Sequence, residues 1–132
     1  MIKKIIISIF LFSTYASSES IHPVLETVSQ NGYIIKIFSE VTPININVIH
    51  NWSIDIRDSK DNLIDDLIIT VNGGMPLHSH GLPTSPKVVN QSSTGSYKLE
   101  GIKFHMAGKW EIVMELKKDN LIDVAKVSFN IR

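Results

Sequence analysis

Two histidines and a methionine fall within one short run, Met75-Pro76-Leu77-His78-Ser79-His80-Gly81, in a stretch punctuated by Pro76, Gly81, Pro83 and Pro86. Thioether and imidazole donors together suit copper: thioether favours Cu(I), and imidazole accepts Cu(I), Cu(II) and Zn(II). In an extended backbone, residues two apart point to the same side, so His78 and His80 would lie about 6 to 7 Å apart and could share one ion. The same residues also read as a surface loop whose prolines and glycine set the backbone while the histidines are solvated.

A second pair, His105-Met106, offers the rest of a site. Neighbours on a strand face opposite sides, so only one of the two can meet the Met75 to His80 loop unless the strand ends there. Met106 shares the parity of Ile102 and Phe104, which suits core packing. It also stands just before Ala107-Gly108, at a strand end that a loop could reach. The ligand set read here is Met75, His78, His80 and Met106, with His105 as the substitute if the strand twists. His50, on an apolar face between Val48 and Trp52, reads as a half-buried structural histidine. His22 sits close to the N-terminus and is a weak candidate for an amino-terminal Cu(II) site.

Enzyme signatures are missing: there is no Gly-x-Ser-x-Gly, no phosphate-cradling glycine loop and no His-Glu-x-x-His. No Asp or Glu lies in the Met75 to Gly81 run to make a third firm zinc ligand. The reading is therefore a protein without catalytic activity.

Lys3 and Lys4 precede the apolar run Ile5 to Phe12 and a small-residue patch, Ser13 to Ser18, with no acid before Glu19. That order predicts a secretory signal peptide over residues 1–18, cleaved after Ala16 or Ser18. An uncleaved signal anchor is the one route to a membrane. The expected location is periplasmic or secreted. Residues 19–132, about 114 in all, suffice for one domain with its own core. Losing Lys3 and Lys4 turns 13 basic against 13 acidic residues into 11 against 13. Such a balance gives no electrostatic case for nucleic acid or anionic lipid. With no cysteine, disulfides, thiolate metal sites and a His/Cys blue-copper centre are excluded.

The elements that must position these ligands follow a period of two. Ile44, Ile46, Val48, His50, Trp52, Ile54 and Ile56 alternate with polar residues, broken only by Ile49, which predicts one long strand or two in line. Strands are also predicted around Tyr33 to Ile37, Leu67 to Val71, Tyr97 to Met106 with a bulge at Gly101, Trp110 to Leu116 and Ala125 to Ile131. Turns are expected at Asp58 to Asn62, Asn72 to Gly74, Ala107-Gly108 and Lys117 to Asn120. Pro83 to Ser96 shows no clear periodicity and is expected to be the most mobile segment. Six to seven short strands and no helical period make the fold all-β, an immunoglobulin-like antiparallel β-sandwich.

Two segments carry a family resemblance: Asp58 to Ile64 with the strand ending in Gly74-Met75-Pro76-Leu77-His78-Ser79-His80-Gly81, and Gly95 to Glu111 with its Phe104-His105-Met106-Ala107-Gly108-Lys109-Trp110. Over roughly residues 30 to 132 the chain resembles the YtkA-like group of small exported domains, related to FixH. The resemblance implies an extracytoplasmic β-sandwich with a metal-binding role. In the first turn, Asp61-Asn62 stands where relatives commonly carry glycine.

Two functions are consistent with these residues. One is an exported copper carrier or chaperone that holds one ion and exchanges it with an extracytoplasmic partner protein. The alternative is a protein-interaction or scaffold module whose Met-Pro-x-His-x-His loop docks a partner, a role that exposed Leu77 and Leu82 would equally suit.

Overall fold

The protein is seen in a computed structural model that describes residues 22–91 and 95–132. The predicted signal peptide lies outside the described residues. Nine strands alternate with turns: β1 (Leu25–Val28), β2 (Ile34–Ser39), β3 (His50–Arg57), β4 (Ile68–Met75), β5 (His80–Gly81), β6 (Lys87–Gln91), β7 (Ser96–Ile102), β8 (Gly108–Lys118) and β9 (Leu121–Ile131). They form two antiparallel sheets, β1-β2-β3-β7-β6 and β5-β4-β8-β9, packed as an all-β sandwich. No helix among the described residues is long and apolar enough to cross a membrane.

The inward face of each strand is the apolar parity read from the sequence. Ile35, Ile37, Trp52, Ile54, Ile56, Leu99, Trp110, Ile112, Met114 and Leu116 are all buried. Trp52 and Phe104 pack beside Trp110, whose ring meets Phe104 edge-on at 5.1 Å between centroids. Burial of such rings dominates the stability of a domain with no cross-links. Tyr97 on β7 anchors the β3–β4 connection, because its hydroxyl accepts from the Leu67 N–H at 2.9 Å and donates to the Ile64 carbonyl at 3.0 Å. Burial pushes its pKa above the usual tyrosine value. At the opposite edge, Gln30 N–H donates to Val124 O at 2.9 Å and Thr27 Oγ1 to Lys126 O at 2.6 Å, joining β1 to β9.

The slip at Gly101 is a bulge. His50 pairs with Ile102 but Trp52 pairs with Leu99, so one extra residue is accommodated on β7, with Gly101 at φ +78°. Asp61 adopts φ 66°. The Asp58 carboxylate holds that turn by accepting from the N–H groups of Lys60 and Asn62. An Asp at this position keeps the left-handed geometry that glycine would otherwise supply.

Three sequence expectations are corrected. Residues 44–49 are not strand, despite their alternation: Pro43 lacks a donor, Asn47 sits at φ 61°, and Asn47 N–H donates to Phe104 O at 2.7 Å. Asn72 to Gly74 is not a turn but the interior of β4, paired with β8 through Gly74↔Glu111. A methyl on Gly73 would stand 2.6 Å from Ile112 Cδ1, so this glycine serves close strand approach. The aperiodic run from Pro83 contains β6, paired with β7 from Lys87↔Glu100 to Gln91↔Ser96. An edge strand is held by its ladder and needs no alternating face.

Candidate metal centre

The Met75 to His80 segment is a hairpin at one end of the sandwich. Met75 pairs with His80 and Gly74 with Gly81, while His78 N–H closes the turn on Met75 O at 3.0 Å. Ser79 takes φ 51°, which completes the reversal. A methyl on Gly74 would collide with the His80 carbonyl oxygen, so β5 lies this close to β4 only because residue 74 has no side chain. The hairpin thus fixes where His80 stands.

His78 and His80 are both exposed, with ring centroids 6.4 Å apart. The separation matches the sequence expectation, although a turn rather than an extended backbone produces it. His105 joins from the β7–β8 connection, its ring centroid 5.8 Å from that of His80 and nearly perpendicular to it, at 81°. Its other neighbour is Trp110, edge-on at 5.5 Å. His105 Nδ1 is buried and has no hydrogen-bond partner. An imidazole nitrogen shut from bulk solvent with nothing to pair with is a group available to a ligand. The three rings form a row running from solvent to the indole at the edge of the core.

Residues 103–107 are not strand, so the alternation that placed Met106 inward stops at Ile102. His105, the substitute ligand of the sequence reading, is the member of the pair that reaches His80. Met106, read as a ligand with core packing as the alternative, is 36% exposed, which sets the core alternative aside. Its backbone is fixed, since the Trp110 indole N–H donates to Met106 O at 3.0 Å. Met75 is 1% exposed. Its Cε fills the space beside Gly108, where a methyl would be 2.8 Å away, and Gly108 has φ +126°.

Among the described residues, no three of His, Cys, Asp and Glu form a group that could hold a metal ion. The imidazoles stand instead as neighbouring pairs, His78 beside His80 and His80 beside His105. Two imidazoles that clamp one ion through metal–nitrogen bonds of about 2.0 Å have centroids about 6 Å apart, near both observed spacings. His50 stands aside: its Nε2 accepts the Trp52 indole N–H at 3.1 Å, and its Nδ1 lies 3.0 Å from Val48 O. Both nitrogens are occupied and the ring is buried, as a structural histidine should be. His22 is exposed and lines a separate groove with Pro43 and Arg132.

A groove of about 460 Å³ crosses the outer face of β4 and β8 and ends at Met75 and His80. Glu111 and Glu115 also line it. The sequence reading considered only acids inside the hairpin loop and so missed them. Their parity, opposite to Trp110 and Ile112, was the signal that places them on the outer face. Glu111 is also 3.7 Å from Lys126 Nζ.

The comparisons agree with this architecture. The fold is similar to that of a copper-bound variant of FetP from uropathogenic Escherichia coli strain F11, with a TM-score of 0.52 over 83% of this chain and 95% of that one. At 12% identity the likeness concerns the fold alone. No curated protein matches the chain. The YtkA-like family model matches residues 27–115, from β1 into β8 and through both halves of the histidine row. The chain belongs to the YtkA-like family.

Proposed function

We propose that this protein is an exported, non-catalytic carrier of one copper ion, bound at the hairpin end by His80 together with either His78 or His105, with Met75 and Met106 as the candidate thioether donors. The observation that carries the reading is the row of three imidazoles ending in the unpartnered, buried Nδ1 of His105. His80 belongs to both pairs and is the one indispensable ligand. The thioethers of Met75 and Met106 are the sulfur donors near the row in a chain without cysteine, and thioether with imidazole favours Cu(I) while tolerating Cu(II). Support also comes from the fold neighbour, which was solved with copper bound. Two exposed imidazoles allow an ion to be taken from or given to an extracytoplasmic partner protein without opening the core. The predicted signal peptide over residues 1–18 supplies the route of export.

Competitive titration of residues 19–132 with Cu(I), Cu(II) and Zn(II) tests the reading. Stoichiometric copper binding that is lost in His78→Ala/His80→Ala is expected. A wild-type chain that binds no copper would overturn it and leave the loop as a protein-docking surface.

A further inference from the structure

The three rings of the histidine row sit in two different environments. His78 and His80 lie on the hairpin with both rings exposed and close to parallel, 21° apart. His105 lies behind them, nearly perpendicular to His80 at 81° and edge-on to the buried Trp110. Its Nδ1 is shut from bulk solvent and has no hydrogen-bond partner. The 6.4 Å pair is therefore open to water, whereas the 5.8 Å pair is bounded by an indole.

Sulfur is distributed unevenly between the two. Met75 is the register partner of His80, so the two side chains leave the sheet on the same face. Met75 is buried, and its Cε packs beside Gly108, three residues beyond His105. Met106 follows His105 directly, and its carbonyl accepts from the Trp110 indole N–H. Both methionines are thus joined to the 105–108 segment that carries the inner imidazole. His78 stands at the exposed turn, where water is the ready further donor.

Copper's two oxidation states ask for these two environments. Cu(II) prefers a tetragonal shell of nitrogen and oxygen donors, while thioether selects Cu(I). We propose that the row holds copper at two positions sorted by oxidation state: Cu(II) between His78 and His80, completed by water, and Cu(I) between His80 and His105, completed by a thioether of Met75 or Met106. The inference rests on the copper-carrier reading and adds which ligands serve which ion. A neutral imidazole has one nitrogen free to accept, because the other carries the proton. His80 therefore serves one position at a time, and the two positions exclude each other. One chain holds one ion, at the surface when oxidised and against the indole when reduced.

The test is competitive titration of residues 19–132, which contain both sheets and the whole described core, with Cu(II) and, under anaerobic reductant, with Cu(I). His22→Ala in the background removes the imidazole nearest the amino terminus. Losing a direct ligand should cost no less than the roughly ten- to hundredfold in affinity typical of losing an outer-shell partner. His78→Ala should then weaken Cu(II) binding about tenfold or more and leave Cu(I) binding unchanged, and His105→Phe should do the reverse. His80→Ala should weaken both. The electron paramagnetic resonance spectrum of bound Cu(II) should change in His78→Ala and keep its wild-type form in His105→Phe. The oxidation state that each single variant still binds shows that it is folded, and circular dichroism checks the same point without metal. Loss of both states, or of neither, in a folded His78→Ala or His105→Phe variant would overturn the inference and leave the carrier reading intact, as would a Cu(II) spectrum altered by His105→Phe. A wild-type chain that binds copper in neither state would overturn the carrier reading and this inference with it.

Discussion

His105→Phe separates a ligand from a structural histidine. In the folded protein, His105 Nδ1 is buried without a partner, and an unsatisfied buried polar atom costs about 1 to 3 kcal/mol. Phenylalanine removes that atom and retains the edge-on contact with Trp110, seen at 5.5 Å and worth about 0.5 to 1.5 kcal/mol in such pairs. Against this stands the larger ring, at about 1 kcal/mol or more if the half-buried site is slow to adjust. The balance is a fold unchanged or stabilised by about 1 kcal/mol, hence a Tm unchanged or raised by about 5 °C. Copper affinity should fall about tenfold or more, equivalent to about 1.4 kcal/mol. Thermal unfolding of the metal-free chain and competitive Cu(I) titration read the two quantities separately. Destabilisation by more than about 2 kcal/mol with copper affinity intact would refute the reasoning and make His105 a packing residue.

Gly74→Ala should weaken copper binding by pushing the His80 backbone off β4, whereas Gly81→Ala, whose methyl would meet nothing nearer than 3.9 Å, should be silent in the same titration. Tyr97→Phe should cost about 1 to 3 kcal/mol in urea unfolding, since Leu67 N–H loses its acceptor. Because burial raises the folded pKa of Tyr97 above its unfolded value, the neutral hydroxyl's contribution is complete below about pH 10 and is lost as pH rises through the folded value. The Phe variant should lack that part of the alkaline loss. Copper affinity should fall as pH is lowered from about 8 to about 5, because protonated imidazole cannot bind metal; an affinity flat across that range would exclude histidine ligation.

Much of the fold could be read from alternation, because strands such as β3, β8 and β9 each put one parity into a shared core. Alternation misled where the backbone was committed elsewhere. Residues 44–49 carry a strand-like pattern, but Pro43 and the left-handed Asn47 turn the chain away from the sheet and leave Ile46 and Ile49 in solvent. β6 was missed for the opposite reason: it is an edge strand recognised by pairing rather than by pattern. In the candidate site, the hairpin histidines were legible from local spacing. The choice between His105 and Met106 was not, because parity has no meaning beyond Ile102, where the strand ends and Trp110 holds the Met106 carbonyl. The carboxylates Glu111 and Glu115 come to share a groove with His80 only through the β4–β8 register, which no local pattern encodes.

X-ray absorption at the copper edge of residues 19–132 loaded with one equivalent of Cu(I) bears most directly on the central claim. The account predicts imidazole scattering together with a sulfur neighbour, which in a chain with no cysteine must be methionine, and loss of the imidazole signal in His78→Ala/His80→Ala. Copper surrounded by light atoms without imidazole or sulfur, or a chain that retains no copper, would contradict it.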